Sequence, residues 1–320
     1  MQFGKETIYG TPVAATGLKL EVISMNVAPV IGVIQDPSLT AAPSRRGIYQ
    51  AGLLFKGTIV LRANYDGMEE LLRGVLGTYT GPALVDMARD HTFKESSTLN
   101  SYTVELIEGD VPTTKAFRLS GAKFTGITIR GTAGQGTDAM VQIEVTVLAK
   151  DKTSNFTPTG ALAFPNLFPV LYHQAITIDD GTADAATAVR VRSFEVTLEQ
   201  PHTEDRFYLG AVNVDEPLRA DFLVARFRFT QEFTTQTQFD AARSFTVGSP
   251  QLIFQHPTLI GSTSKREFEV RANKANLVEF SAPVEGYGVI LSTATWEAWY
   301  DTGDTSAMVV RTKNALSALV

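Results

Sequence analysis

Four histidines, His91, His173, His202 and His256, are where proton transfer or metal binding would be sought, and no two stand at a metal-ligand spacing. The nearest approach to a ligand cluster, His202-Thr203-Glu204-Asp205, reads as a solvated surface loop. Asp90-His91 precedes an apparent strand and has no serine near it in a nucleophile-elbow setting. The chain contains no cysteine, which excludes disulfides, thiolate metal sites and cysteine nucleophiles. The Gly-rich run from Gly131 to Thr137 lacks the Lys-Ser/Thr ending of a phosphate loop and lies between two strands, so it reads as a hairpin connection. Arg226 and Arg228 share a strand face, with Asp221 and Glu232 nearby as expected ion-pair partners. Trp296 and Trp299 close the last long strand, and at least one is expected to anchor a core or an interface. No motif supports paired-carboxylate glycoside chemistry. These residues point away from catalysis, and no catalytic, cofactor or metal residue is assigned.

The composition fits that reading. Hydrophobic residues make up 44% and charged residues 19%, values that support packed cores and exclude global disorder. The net charge of -6 has the wrong sign for a protein that grips nucleic acid by releasing counterions. Residues 1–165 carry 15 basic and 15 acidic side chains, residues 166–320 carry 13 and 19, so the imbalance lies in the second half. No apolar segment follows a basic start, and no apolar run approaches the ~20 residues that span a bilayer. The expectation is a soluble protein made without export and without membrane insertion.

The elements that must position these residues are mostly strands. Val141, Ile143, Val145 and Val147 alternate with Gln142, Glu144 and Thr146, the period of a half-buried strand. Phe55, Gly57, Ile59, Leu61 and Ala63 share one face of another strand, with Lys56, Thr58, Arg62 and Asn64 on the other. A helix follows. Asp66 stands where an N-cap belongs, Glu69 completes a capping-box-like pair, Met68, Leu71, Leu72 and Val75 recur at helical spacing, and Gly77 can end it.

The second half repeats the arrangement. Leu223, Ala225, Phe227 and Phe229 alternate with Val224, Arg226, Arg228 and Thr230, and a short helix runs from about Thr234 through Phe239 and Ala242. A shift of 168 residues lays Phe55 on Leu223, Ile59 on Phe227, Leu61 on Phe229, Asp66 on Thr234 and Leu71 on Phe239. The strands Ile23-Met25-Val27 and Phe194-Val196-Leu198 precede the two motifs, separated from them by long polar connections, Gln35 to Tyr49 and Gln200 to Pro217. Each half ends in a strand pair, Lys123–Arg130 with Asp138–Lys150 and Lys265–Asn273 with Gly288–Asp301. The pattern predicts an all-β chain with minor α, duplicated as domains 1–160 and 161–320 and joined through Phe156 to Pro169.

The opening Gly4-Lys5-Glu6-Thr7-Ile8-Tyr9-Gly10-Thr11-Pro12-Val13 resembles the N-terminal signature of tail tube (major tail) proteins of bacteriophages with long, non-contractile tails. The strand Phe55 to Ala63 feeding Tyr65-Asp66-Gly67 and a Leu-rich helix is similar to that family. So are Arg118-Leu119-Ser120-Gly121-Ala122-Lys123 and the closing Ala149-Lys150-Asp151. The likeness covers the first ~150 residues best, and the second half is reached through its similarity to the first. The resemblance implies two tandem tail-tube-type β-sandwich or half-barrel domains, each with a short flanking helix. It implies a structural virion protein, assembled in the host cytoplasm into stacked rings around a channel for DNA. Family rings usually contain six such folds, so three two-domain chains would complete a pseudo-sixfold ring. The implied partners are further copies of itself, the tape measure, tail terminator and distal tail proteins, and DNA passing without specific binding. Neither cofactor nor enzymatic activity is implied.

An open sheet edge invites further pairing, and a ring uses that liability by continuing each sheet into its neighbour until rotation closes it. The polar strand faces would then line the channel, which makes Gln142, Glu144, Thr146, Thr293, Thr295 and Glu297 the lumen candidates. Ring stacking falls to the long connections, through Asp36, Arg45, Arg46 and Tyr49 and through Glu204, Asp205, Arg206 and Tyr208, together with an N-terminal arm, Met1–Gly17. Ordinary surface loops are the plainer reading of those segments. Two other functions fit the sequence. One is a tandem β-sandwich binding module, such as a tail-tip or virion decoration protein, which would need an exposed aromatic platform. The other is the inner tube of a contractile injection machine.

Overall fold

A computed structural model of the chain describes residues 1–17, 19–36, 44, 47–107, 116–134, 139–155, 157–159, 168–182, 190–283 and 288–317. The first half forms β1 (Gln2–Lys5), β2 (Val22–Gln35), β3 (Ile48–Arg62), α1 (Glu69–Leu76), β4 (Gly77–Val85), β5 (Ala88–Glu95), β6 (Tyr102–Ile107), β7 (Ala116–Thr132), β8 (Gln142–Ala149) and β9 (Asp151–Ser154). The second forms β10 (Ala175–Asp179), β11 (Val191–Glu199), β12 (Val224–Glu232), α2 (Thr237–Ser244), β13 (Val247–Gly248), β14 (Gln251–Leu259), β15 (Lys265–Ala272), β16 (Ala275–Ser281), β17 (Leu291–Ala298) and β18 (Met308–Asn314). One sheet runs β13-β16-β17-β12-β11-β7-β8-β3-β2, with β1, β6 and β9 attached beside the first part of β7. The other runs β10-β14-β15-β18-β5-β4.

Alternation turns one face of the long sheet inward. Ile59, Leu61, Ile143, Val145, Ile127, Ile129, Val196, Phe227, Phe229 and Trp296 are buried there, in one cluster with Phe93, Phe254, Phe268 and Val310 of the second sheet. Burying each large side chain contributes ~1.5–3 kcal/mol, so this layer is the main source of stability. The strand order repeats inside the long sheet, as β2-β3-β8-β7 followed by β11-β12-β17-β16. Register repeats too. Ile59 faces Val145 as Phe227 faces Trp296, and Leu61 faces Ile143 as Phe229 faces Ala294. Met25 faces Ile59 as Val196 faces Phe227, and Ile127 faces Val145 as Leu277 faces Trp296. The two sets meet head to tail at the antiparallel β7–β11 pair, with Ile127 opposite Leu198 and Ile129 opposite Val196.

Several expectations need correction. The strand beginning at Lys265 does not pair with the last long strand; β15 lies between β14 and β18, and β17 pairs with β16 instead. The chain turns at Asn273, whose side-chain amide donates to the Ser306 carbonyl at 2.9 Å and hydroxyl at 2.7 Å, so the path that β7 spans unbroken is divided into two strands. Asp66 is not the cap of α1, which starts behind Met68; its two carboxylate oxygens share the one Nε–H of Arg266, at 3.0 and 3.1 Å, in a charged pair that is a stronger use than a cap. Gly77 does end the helix, at φ 92°, and Met68, Leu71, Leu72 and Val75 are fully buried.

In α2 the buried residues are Gln238 and Ala241, while Phe239 faces outward toward Phe280, because the Gln238 amide is drawn inward to Asp180. The first residues of the N-terminal arm are packed, while Thr7, Ile8, Thr11, Pro12 and Ala14 are exposed. Met1 and Phe3 are buried, β1 pairs with β6, and the Phe3 ring meets Phe124 edge-on at 5.8 Å. Burial lowers the Met1 amine to about 6, with Lys19 adding to the effect, and the amine donates to the Leu20 carbonyl at 2.8 Å. The opening signature is a staple, since the Glu6 carboxylate accepts from the Gly10 amide, the Thr103 hydroxyl and the Gly121 amide, each at 2.9 Å. The ends of the Gln35 to Tyr49 connection are strand, with Gln35 opposite Ile48 and Ile34 opposite Tyr49, because the β-branched run before Gln35 favours the ladder. Arg45, Arg46 and most of the Phe156 to Pro169 connection lie outside the described residues.

Candidate functional site

Three of the four histidines are held by neighbouring groups, and the fourth, His173, is exposed with its ring edge-on to Tyr172. His91 is buried, with Nδ1 3.0 Å from the Tyr79 hydroxyl and Nε2 3.2 Å from the Leu316 carbonyl, and burial holds its pKa below the ordinary value. His202 Nδ1 lies 2.7 Å from the Gln200 carbonyl, and burial lowers it as well. His256 sets its ring edge-on against Tyr65 and Phe168; burial first and Arg266 second keep it neutral to lower pH. Among the described residues no group of three or more His, Asp or Glu could hold a metal ion. One buried carboxyl, Glu69, is pushed up to about 7 by burial while its Oε1 accepts from Asn314 and, at 3.4 Å, from Thr312. It joins α1 to β18.

The polar face of the long sheet is one continuous surface. One row of directly opposed residues runs Val60, Glu144, Thr128, Thr197, Arg226, Glu297. The next runs Gln142, Arg130, Glu195, Arg228, Thr295, Glu279. Thr146 lies between Thr58 and Gly126, and Thr293 between Thr230 and Ser281. All six lumen candidates therefore share this face, five of them half-buried; Thr295 is covered, with Glu279 3.4 Å from its hydroxyl. Arg226 pairs with Glu297 at 3.1 Å and Arg130 with Glu144 at 3.7 Å, while Glu232 takes Arg190 at 3.2 Å and also Arg192. The partner of Arg226 is thus Glu297 on a neighbouring strand, not Asp221 or Glu232. Exposed pairs of this kind contribute only ~0–1 kcal/mol, and their main effect is a face with no block of one sign.

The two ends of the sheet differ in what covers them. At one end β2 exposes Ile23, Val30, Ile31, Val33 and Ile34. At the other, β13 pairs with β16 only at Ala275 and Asn276, and Leu277 to Ser281 carry no outer strand among the described residues.

The family model for phage tail tube protein matches residues 1–298. The chain belongs to that family. The match runs through both four-strand sets, so the second half of this tail tube protein is part of the family unit and not an appendage. No curated protein matches the chain. A structural role in the virion tail agrees with the partners that hold His91, His202 and His256.

In this tail tube protein the Gln200 to Pro217 connection lies down on the first half. The Leu53 amide donates to Val212 at 2.9 Å, and the Val214 amide donates back to Leu53 at 3.1 Å. Val214 is buried with Leu54 and Leu148, Lys123 pairs with Glu216 at 2.8 Å and donates to the Pro217 carbonyl at 3.0 Å, and Glu204 pairs with Lys56 at 2.5 Å. Of the stacking candidates, Arg206 holds Asp215 at 3.5 Å and the Tyr208 hydroxyl at 2.9 Å, and the Asp205 carbonyl accepts from the Phe207 amide. Tyr208 stays exposed beside Leu209, and the Asp36 amide closes the ribbon by donating to the Gly47 carbonyl at 3.2 Å. The sequence reasoning missed an exposed aromatic group, Phe222 with Trp299 and Tyr300, at the start of β12 and the end of β17. Its signal was two aromatics directly after the last alternating strand, where a core has no further use for them.

Proposed function

We propose that this tail tube protein assembles head to tail into stacked rings forming the conduit through which a phage with a long, non-contractile tail passes DNA into its host. The observation that supports this is the repeated strand order. The β7–β11 pair already joins two four-strand sets within one chain, and the counterparts of that pair stand toward the two ends of the sheet, β2 at one edge and β16 at the other, covered by β13 only at Ala275 and Asn276. The chain is then a duplicated pair of domains, 1–160 and 161–320. Three chains supply six sets and a pseudo-sixfold ring, and the interface terminates because the rotation closes. Gln142, Glu144, Thr146, Thr293, Thr295 and Glu297 face the lumen. Their alternation with arginines, in a chain of net charge -6, suits a wall that DNA passes without adhering. Stacking falls to the exposed segments around Asp36 and from Glu204 to Tyr208. Assembly takes place in the host cytoplasm, with tape measure, terminator and distal tail proteins as partners.

Negative-stain electron microscopy of the purified chain across a concentration series tests this. Annuli or tubes with a central hole and threefold averages are expected. A hexameric mass for an isolated ring refutes the duplication count, and monomers at every concentration refute the conduit. One observation favours a second reading. Phe222, Trp299 and Tyr300 form the aromatic platform that a carbohydrate-binding tail-tip module would need. Saturable quenching of Trp299 by oligosaccharides would support that module.

A further inference from the structure

We propose, building on the ring reading, that Phe222, Trp299 and Lys274 form the seat for the β2–β3 ribbon of a second copy of this chain. The offsets that align Ile59 with Phe227 and Val145 with Trp296 lay Leu54 on Phe222 and Leu148 on Trp299. Lys123, directly opposite Leu148, corresponds to Lys274, whose carbonyl accepts the Trp299 amide at 2.9 Å. The two trios have the same chemistry, two apolar side chains and one lysine, at the same end of the polar face.

Their surroundings differ. In the first half the trio is covered. Leu54 and Leu148 are buried under Val214, and Lys123, 4% exposed, meets Glu216 and Pro217 of the Gln200 to Pro217 connection. In the second half Phe222 is 86% and Trp299 43% exposed, and Lys274 is held only by its own chain, to Asp301 at 2.8 Å and over the Trp299 ring at 5.3 Å. The cover in the first half is the link between the first two strands of the next set along the sheet, β11 and β12. For the second half, the next set along a continuing sheet is the first set of another copy, and its corresponding link is the β2–β3 ribbon.

That ribbon has the surface required. β3 runs on beyond Phe55, where β8 ends, and Ile31, Ile34, Ile48 and Tyr49 stand exposed. From Pro29 to Gln35 and from Ile48 to Gly52 it carries no charged residue, so it is suited to an aromatic seat. One contact would cover two apolar surfaces that a monomer leaves in water, each of a kind that marks an interaction site. It also moves Tyr49 from ring stacking into the joint within a ring.

Because the chain has no cysteine, a Tyr49→Cys/Phe222→Cys variant can be treated with a short bismaleimide without background. Assembled rings of the double variant should give a covalent ladder ending at the ring size, and each single variant should stay monomeric on a denaturing gel. Phe222→Glu should leave the circular dichroism and urea midpoint of the monomer unchanged, since Phe222 is exposed, and raise the concentration needed for assembly at least tenfold. Acrylamide quenching of Trp299, isolated by difference from Trp299→Phe, should fall severalfold on assembly. Wild-type rings without the ladder, with Phe222→Glu assembling at the wild-type concentration, overturn the seat and leave the ring standing. Trp299 quenched equally in rings and monomers, as expected if a glycan or another tail protein is the natural occupant, overturns it as well. A wild-type chain that stays monomeric overturns the ring reading and the seat together.

Discussion

Glu69 makes the stability of this protein depend on pH in a direction opposite to the usual carboxylate. It begins α1, lies almost wholly out of solvent, and burial pushes its pKa from 4.5 to about 7. The folded chain therefore keeps a proton that the unfolded chain gives up, and between those values unfolding releases it. Stability from this group is fully present below about pH 4.5 and is lost as pH rises toward about 7. At ~1.36 kcal/mol per unit, the loss amounts to ~3 kcal/mol, a large share of a marginal total. Glu69→Gln preserves the shape and an acceptor for Asn314 while removing the titration. Urea unfolding of the dilute, monomeric chain from pH 4.5 to 8 should show the variant gaining on the wild type by ~3 kcal/mol, with a slope near ~1.3 kcal/mol per pH unit mid-range. Parallel profiles for the two chains would refute the reasoning, because they would mean that Glu69 folds into its site already ionised.

Trp296→Ala should cost ~3–5 kcal/mol by leaving a cavity between the sheets, with Trp296→Phe costing less, measured by the same titration. A Cβ on Gly57 would sit 1.7 Å from the Asn26 carbonyl oxygen, so Gly57→Ala should detach β2, lower stability by ~1–3 kcal/mol or more, and abolish ring formation by microscopy. Asp86 accepts from the Ser262 hydroxyl, the Thr263 amide and hydroxyl and the Ser264 amide, which hold its carboxyl well below the usual range and tie the β4–β5 turn to the β14–β15 turn. Its contribution is present above the ordinary Asp value of ~3.9 and lost as pH falls, so the gap between wild type and Asp86→Ala in urea midpoint should be constant from pH 5 to 8 and close in acid. A double-mutant cycle on Arg226 and Glu297 should return ~0–1 kcal/mol, since both are half exposed.

Much of the long sheet could be read along the chain. Alternation from Val141 to Val147 and from Leu223 to Phe229 correctly assigned which residues face the core, and the shift of 168 residues foretold that Ile59 and Phe227 would occupy equivalent registers. These are local facts, because a strand's two faces follow from successive side chains pointing opposite ways. Three things were not local. Lys265 to Ala272 alternates as well as any strand, yet its sheet is chosen by the turn at Asn273 and its bonds to Ser306, 33 residues away. Asp66 has the spacing of a cap, but Arg266, 200 residues on, offers it a charged hydrogen bond shared by both carboxylate oxygens. The opening residues look like a free arm until β6 supplies the ladder and Phe124 the contact that bury them. The sequence by itself determined that the chain is built of two-faced strands, with a short helix after β3. Only the tertiary structure decided the order of those strands, the joint between β7 and β11, and which copy of an equivalent surface is covered. Pairing energy depends on partners far apart in the chain, and equal local patterns do not distinguish among them.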